Sequence, residues 1–536
     1  MKKIETLFIW VGLFSVIIVM GGLLWNMQTP TNPVAMNYPT NKYGAFLVSQ
    51  HAIYKNDFDT AAKYIKQIPD SELKIIKDTV ILSEFLCGNM PSGDLELLKD
   101  ETNTASHFIY DAYLIKQNKW QSVYKRHKKD DSSLTAPIRI WASVANGNTK
   151  EAIKFINKMN TNDSWKSFII GQIYSENQEI DKAVAEFEKV SVNFININDY
   201  MYLMAFYKQN KLDSKAKELY SKFTANAGGM FILDMNVSPN WENYSGYTNE
   251  LAFSLTQSVS HTQILIYSDV YLLMLRFAQI IQENPNNGIL YYYIGQYYFN
   301  NGGDYKKYFN NIDKKNPMYP FSRMRIAEKE NDLNALVAAV DANPLFIPAI
   351  TRLVAKNVQY GNKKTALKIV DKALKNKNLT ESGRFFLLKT RAGIYLTFGD
   401  LNSAQQDVQA ASDINQSDSD IHAAQSKIWA LQDNKLNTAY NYALALVRKN
   451  PTNVEYWDAL AIAVWAKDGP NAALDILARV GNVSETCSVL FEHLGDLYKQ
   501  TGNKKLAQES YNRAISLSND GLTVIPTLKY KLKKLK

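Results

Sequence analysis

Histidine, serine and acidic residues are the first places to look for chemistry, and their spacing in this chain fits no common catalytic pattern. The six histidines are scattered, and none lies in the HExxH pattern of a zinc-binding helix. Serine precedes lysine by three residues at Ser71 and Ser122, but the SDN and KTG segments that complete such an acyl-transfer site are missing. His493 and Asp496 would share a helix face, yet no third residue completes a catalytic set. We therefore predict a non-enzymatic protein without a bound metal or cofactor.

Size and composition favour an array of helices over a single catalytic domain. The chain has 536 residues, more than one hydrophobic core usually serves. Glycine and proline number only 24 and 15, which is few for the turns that a chain of many short strands would need. Two cysteines, Cys87 and Cys487, lie too far apart to suggest a disulfide framework or a paired metal ligand.

The positive charge is concentrated at the carboxyl end. The net charge is +9, and the last eight residues, KYKLKKLK, carry five lysines and no acid. A surface that binds nucleic acid would place basic clusters along the whole body. We therefore expect no nucleic-acid partner. The basic tail, residues 522–536, either is solvated or contacts an acidic lipid or polymer.

An apolar run near the amino end is long enough to span a bilayer. Residues 7–25, LFIWVGLFSVIIVMGGLLW, contain only one polar side chain, Ser15. As a helix this run would cover about 28 Å, close to the hydrocarbon thickness of a membrane. The apolar region of a signal peptide is usually shorter and ends at a cleavage site of small residues, for which the next residues offer no good match. We predict an uncleaved transmembrane anchor, with a cleaved signal peptide or a cytoplasmic body as the alternatives.

Charge predicts the orientation of this anchor. Lys2 and Lys3 precede the apolar run, whereas the next basic residue is Lys42. The positive-inside rule then places the amino terminus in the cytoplasm and the body in the periplasm of a bacterial inner membrane. If the run is cleaved, the body would be secreted to the periplasm. Residues 26–41 are predicted to be an extended spacer.

A 34-residue period runs through the carboxyl half. Numbered from Ser488, one unit places residues of characteristic size at positions 7, 8, 11, 15, 20, 24 and 27, namely Leu494, Gly495, Tyr498, Gly502, Ala507, Tyr511 and Ala514. Units starting at 454, 420, 385 and 347 repeat much of the pattern. The pattern resembles the tetratricopeptide repeat. This resemblance implies an all-α fold, an α-solenoid of stacked helix-turn-helix units.

Physical chemistry explains these residue types. At positions 8, 20 and 27 the paired helices cross, so only glycine or alanine lets the backbones approach. Position 15 lies in the turn, where glycine or asparagine takes a positive φ. Because one helix pair cannot bury its apolar face alone, the units must stack on a continuous core.

The period is weaker upstream and is interrupted once. We predict a first solenoid half at 42–225, a loop with irregular helices at 226–287, a second half at 288–521 and then the tail. The interruption, which begins NAGGMFILDMNVSPNW, has no regular 3.6-residue rhythm at its start. It either joins the two halves or carries a binding function.

Six tyrosines crowd the stretch LYYYIGQYYFNNGGDY, residues 290–305. Numbered from 288, Ile294, Gly295 and Tyr298 fall at positions 7, 8 and 11, so we predict that the regular members are core. Tyr292 and Phe299 fall at positions 5 and 12, which the resemblance places on the concave groove.

The resemblance also implies the kind of function. Proteins of this type bind other proteins through the groove, and here the groove candidates in regular units are Asp458, Trp465, Glu492, Asp496, Lys499 and Gln500. Their mixed charges favour a polar peptide ligand. We predict a membrane-anchored scaffold of the bacterial envelope. The alternative is an accessory component of an envelope polysaccharide, cell-wall or secretion machinery that holds polymer or substrate for a catalytic partner.

Overall fold

The computed structural model describes residues 42–535 apart from 69–73, 93, 100, 102, 227–239, 262–268, 284–286, 479–486 and 519–522. This part of the chain contains helices and connecting turns and no β-strand. Two short 3-10 helices lie at Leu95–Leu98 and Trp241–Asn243. The α-helices are, in chain order, α1 Lys42–Tyr54, α2 Phe58–Ile65, α3 Lys74–Leu86, α4 Thr104–Lys116, α5 Trp120–His127, α6 Ala136–Ala145, α7 Thr149–Lys158, α8 Asp163–Glu176, α9 Ile180–Phe187, α10 Ile197–Gln209, α11 Asp213–Asn226, α12 Tyr247–His261, α13 Asp269–Ile281, α14 Gly288–Asn301, α15 Tyr305–Asn310, α16 Tyr319–Glu330, α17 Leu333–Ala342, α18 Ile347–Gln359, α19 Lys363–Leu374, α20 Glu381–Thr397, α21 Leu401–Ile414, α22 Ser419–Leu431, α23 Leu436–Lys449, α24 Val454–Asp468, α25 Pro470–Ala478, α26 Ser488–Gln500, α27 Lys504–Leu517 and α28 Ile525–Lys533.

Most helices form antiparallel pairs, as the repeat predicts. The first and second helices of a pair are called the A and B helices below. Side-chain caps start many of them: Asn503, for example, accepts from the backbone N–H of Leu506 at the start of α27. In the turn between the A and B helices, the predicted glycine has a left-handed backbone conformation. Its φ is +74° at Gly399 and +83° at Gly502.

The small residue at position 8 has a specific neighbour. A Cβ atom on Gly495 would lie 2.4 Å from the Tyr511 ring, and one on Gly171 would lie 2.5 Å from the Phe187 ring. Both rings come from position 24 on the B helix of the same unit. The large residue at position 24 therefore packs directly on the small residue at position 8 of its own unit.

The chain divides into two compact units by its contacts. Unit 1 comprises the described parts of 1–206 and 239–311, and unit 2 those of 207–238 and 312–536. The repeat pattern predicted other divisions, at 225, 287 and 521, so contacts and sequence period do not group the residues in the same way. In particular, α12 to α15 are grouped with the first repeats.

In unit 2 the A helices form a continuous row. Each of α18, α20, α22 and α24 contacts the next A helix along, ending at α26. The last helix, α28, packs on α27 and buries Leu528 and Leu535 in a cluster with Ala507, Tyr511 and Ala514. Half of the predicted basic tail is therefore a capping helix whose apolar side covers the end of the array.

Candidate protein-binding surface

The face formed by the A helices is the predicted binding groove, and in unit 1 the chain itself covers it. The helix α12 packs on the A helices α6 and α8, while α13 packs on α3 and α4. Both come from the segment that interrupts the repeat. The described part of the predicted insertion at 226–287 thus contributes a pair of helices that fills the inner face of the first repeats.

Polar contacts hold α12 in place and are themselves buried. The indole Nε1 of Trp141 donates to Ser254 Oγ at 2.8 Å, and the Gln257 amide donates to Asp199 Oδ1 at 2.8 Å. Glu250 accepts from the Tyr202 hydroxyl and the Gln172 amide, each at 2.6 Å. These buried hydrogen bonds make the interface resemble a protein interior more than a transient contact, although the Oε1 atoms of Gln172 and Gln257 are buried without a hydrogen-bond partner among the described residues.

Glu250 is fully buried, and none of the described ion pairs involves it. Burial raises the pKa of its carboxyl well above the usual range, and the nearby charge of Glu176 raises it further. These effects outweigh the hydrogen bonds from Tyr202 and Gln172, which lower it. The carboxyl therefore favours its neutral form in the folded protein.

The structure places the two predicted groove aromatics of unit 1 within their own repeat. Tyr292 is half-buried and stacks on Phe309 with ring centres 5.8 Å apart. Phe299, also half-buried, meets Tyr305 edge-on at 5.5 Å. Both partners lie on or at the start of the paired helix α15. The tyrosine stretch thus forms an A helix with one buried side, and Tyr292 and Phe299 lie at the edge of that side.

Sequence reasoning missed a buried cation in this region. Arg276 on α13 is fully buried and donates to the hydroxyls of Tyr298 at 2.9 Å and Tyr308 at 2.6 Å. The Gln279 side chain accepts a third hydrogen bond at 2.6 Å. An arginine in the otherwise apolar stretch LLMLRFAQII was the available signal, because a buried charge needs dedicated partners.

In unit 2, Asp458 joins three consecutive A helices. Its carboxylate lies 2.6 Å from Lys427 Nζ on α22 and 2.5 Å from His493 Nδ1 on α26. Burial alone would raise the pKa of Asp458, but the two cations hold it well below the usual range. Burial likewise opposes the rise in the His493 pKa that Asp458 causes, and the rise prevails. Asp458 thus braces the row and is fully buried in the chain itself.

Two further candidates are engaged by the capping helix. Lys531 of α28 lies 2.8 Å from Glu492 Oε1 and 2.6 Å from Asp496 Oδ2. Asp496 also accepts from the Tyr511 hydroxyl at 2.7 Å. One lysine of the predicted tail therefore forms ion pairs with two of the predicted groove acids and compensates one of their two negative charges.

The remaining candidates form an accessible group. Trp465 on α24 donates from its indole Nε1 to the Gln500 side chain on α26 at 2.7 Å, in an exposed hydrogen bond. Lys499 and Gln500 are exposed, and Trp465 is partly so. We call these three residues the 465–500 patch. All eight candidate residues stay predictions as partner contacts.

Neither a group of metal ligands nor a membrane-spanning helix occurs among the described residues. There, no three His, Cys, Asp or Glu side chains are grouped so as to hold a metal ion. None of the helices in these ranges combines the length and apolar character needed to cross a bilayer. The predicted anchor at residues 7–25 lies outside the described residues.

Comparison with known proteins identifies one unit directly. Residues 490–520 match the family model of the tetratricopeptide repeat, so this segment carries such a repeat. The curated proteins include no sequence relative of the chain.

Several solved structures are similar at low sequence identity. A tetratricopeptide repeat protein from Parabacteroides merdae is 14% identical, with 54% of this chain and 99% of that chain covered and a TM-score of 0.34. The YrrB protein, described as having an unusual peptide-binding site, is 17% identical over 38% of this chain and all of its own, with a TM-score of 0.22. The Cut9–Hcn1 complex gives 15% identity, 92% and 96% coverage, and a TM-score of 0.31. Similarity at this level carries no conclusion about ligands.

Proposed function

We propose that this chain is a non-enzymatic scaffold that binds a polar peptide segment of a partner protein on the A-helix face of unit 2. The observation that carries the proposal is the difference between the two A-helix faces. In unit 1 the face is covered by α12 and α13. In the described part of unit 2 the helices packed on the A helices are their neighbours in the array, and the 465–500 patch is accessible.

The chemistry of the 465–500 patch suits a polar peptide. An indole, an ammonium group and an amide lie on two adjacent helices, and the indole–amide hydrogen bond holds two of them in position before binding. A preformed surface loses little conformational entropy when it binds, so a modest contact area can give useful affinity. Tryptophan is also among the residues that most often dominate interface energetics.

A triple variant tests the patch. The substitutions Trp465→Ala, Lys499→Glu and Gln500→Ala in the full chain should lower the recovery of the co-purifying protein at least about tenfold. A matched control is available on the exposed side of the B helix α23, with Tyr442→Ala, Lys449→Glu and Asn441→Ala. Equal recovery with the patch variant and the unaltered chain would refute the groove proposal. If glycan co-purifies in place of protein, the accessory role in polysaccharide or cell-wall assembly replaces it.

We propose further that residues 7–25 anchor the scaffold in a bacterial inner membrane with the body in the periplasm. The support is the length of the apolar run and the position of Lys2 and Lys3 before it. A topology reporter fused to the carboxyl end should be active only in the periplasm. Activity confined to the cytoplasm would contradict this orientation.

A further inference from the structure

Unit 2 carries a row of lysines on the exposed side of one B helix. Lys364, Lys368, Lys372 and Lys375 lie on or just after α19, and all four are exposed. Their spacing places them within about a quarter of the helix circumference. The only acid on α19, Asp371, accepts from Arg391 Nη1 at 2.7 Å, but the same guanidinium also pairs with Asp407 at 2.7 Å, so Asp371 is only partly compensated and faces four lysines.

The capping helix carries a second group. Lys529 and Lys533, with Lys534 just beyond the helix end, are exposed, whereas Lys531 is turned inward to Glu492 and Asp496. The leucines of α28 are buried against α27, so only its polar side is free for a partner. The helix contains no acidic residue.

The fold joins these two groups at one point, although about 160 residues separate them. A Cβ atom on Gly361, in the turn before α19, would lie 3.5 Å from Pro526 and 3.6 Å from Val524 at the start of α28. Gln359 donates to Ser518 Oγ at 3.3 Å, and Val524 belongs to the core cluster of α18 to α20. The connection before α28 therefore meets the turn between α18 and α19, and α19 and α28 begin side by side.

We propose that these seven lysines form one surface that binds the headgroups of anionic phospholipids. Among the described residues, none of the seven takes part in an ion pair, so their charges are uncompensated. Clusters of four to eight basic residues on a helix surface attract anionic bilayers, each contributing roughly a fivefold gain in affinity near the membrane.

Two observations favour a lipid surface over nucleic acid. The group consists of lysines without arginine, and lysine acts as a point charge with no bidentate geometry for reading a phosphate or a base. Two exposed aromatic residues of the described chain lie beside these lysines, Tyr360 in the turn before α19 and Tyr530 on α28, and the ammonium of Lys534 lies over the Tyr530 ring at 4.7 Å. A strand of stacked bases needs several free aromatic faces in series. Because the apolar side of α28 is buried, binding should be peripheral and sensitive to salt.

Chemical acetylation of individual lysines, read by mass spectrometry, tests the surface on the full chain. The chain is mixed with vesicles of phosphatidylcholine alone, or with phosphatidylglycerol as about a third of the lipid. We expect all seven lysines to be labelled several-fold more slowly in the anionic vesicles, and about 0.5 M salt to abolish the difference. If residues 7–25 insert into the bilayer, the chain will bind both kinds of vesicle. The fraction of the chain that pellets with the neutral vesicles therefore measures binding through the anchor.

A charge-reversal pair controls for net charge. Lys364→Glu, Lys368→Glu and Lys372→Glu should remove the protection of Lys529, Lys533 and Lys534 on the other helix. Three exposed lysines of α7 in unit 1 have the same four-residue spacing, so Lys150→Glu, Lys154→Glu and Lys158→Glu change the charge equally and should leave the protection intact. Circular dichroism checks that each variant is folded.

Three outcomes would overturn the proposal. The first is equal labelling of the seven lysines in neutral and anionic vesicles. The second is an equal loss of protection in the α7 variant. The third is protection by duplex DNA as strong as that by phosphatidylglycerol at the same salt, which would make the surface a general polyanion site.

Discussion

The two A-helix faces of this chain are built from the same kind of helix pair and yet are treated in opposite ways. In unit 1 the face is covered by α12 and α13, which seal it with apolar side chains and buried hydrogen bonds. In unit 2 ion pairs such as Lys427–Asp458–His493 link the A helices, and the 465–500 patch is accessible. The comparison teaches that a repeat pattern specifies how helix pairs stack, while the use of the inner face depends on segments outside the pattern.

The largest effect on this contrast is expected from removing a side chain that joins α12 to the repeats. Trp141 is fully buried and bonded to Ser254, so Trp141→Ala should cost unit 1 about 3–5 kcal/mol of unfolding free energy. Trp465→Ala is the matched change on the accessible face and should cost less than about 1 kcal/mol. Denaturant titration with proteolytic mapping of each unit measures both. Equal destabilisation by the two changes would contradict the contrast between covered and accessible faces.

A second test asks whether both units share one packing rule beneath their different faces. Gly495→Ala would place a Cβ atom 2.4 Å from the Tyr511 ring and should cost about 1–3 kcal/mol of unfolding free energy. Gly393 also lies in an A helix, but nothing is within 4 Å of its Cβ position, so Gly393→Ala should stabilise by about 0.5–1 kcal/mol. Thermal unfolding of the two variants gives the sign directly.

Gly171→Ala in unit 1 extends this test to the covered face. Its Cβ atom would meet the Phe187 ring at 2.5 Å, so the cost should match that of Gly495→Ala. A neutral result in either unit would show that the ring moves aside and that position 8 does not limit the packing.

A third test uses pH to sharpen the contrast. The pKa of Glu250 is raised in the folded state, so its contribution to stability is fully present below the unfolded pKa, about 4.3, and is lost as pH rises toward the folded value. Glu250→Gln keeps a neutral group there, and the Gln172 amide can turn so that its buried, unpartnered Oε1 accepts from the new amide. Above the unfolded pKa, the unfolding free energy of the variant should therefore rise relative to that of the unaltered chain, by up to about 1.4 kcal/mol per pH unit.

The measurement is the unfolding free energy of unit 1 between acidic and mildly alkaline pH. Glu381→Gln, at the exposed start of α20, is the matched control for the removal of one carboxyl group. A difference between Glu250→Gln and the unaltered chain that does not change with pH would mean that the Glu250 carboxyl is ionised in the folded protein.

The smallest expected effect concerns the cap of unit 2. Lys531→Met removes the ammonium that pairs with both Glu492 and Asp496 and should cost about 1 kcal/mol of unfolding free energy, less in high salt. Lys533→Met, on the exposed side of the same helix, should change stability by less than about 0.5 kcal/mol. Salt-dependent unfolding of the two variants separates them. Identical behaviour would show that the Lys531 pairs add nothing to the docking of α28.

Local features were predictable to a good extent. The A and B helices, the left-handed turns at Gly399 and Gly502 and the burial of Ile294 and Tyr298 all follow from residues a few turns apart. Their causes are helix period, the reach of a side chain to its paired helix and the steric freedom of glycine, which depend on a short stretch of chain. The match of residues 490–520 to the tetratricopeptide repeat has the same local origin.

The partners of the candidate site residues were not predictable in this way. Position 5 of a repeat predicted a side chain on the inner face, but Asp458 is enclosed by Lys427 and His493, and Glu492 is held by Lys531. The offset describes a direction from the helix axis, whereas accessibility depends on what neighbouring helices and the cap place in that direction.

By itself, the sequence determined that this protein is a stack of helix pairs, because the period of small and large residues admits no other packing of the repeats. Only the tertiary structure decided that α12 and α13 close one inner face and that α19 and α28 begin side by side. Those contacts join residues more than a hundred positions apart. They arise from small rotations that accumulate from one repeat to the next, and no single repeat encodes that sum.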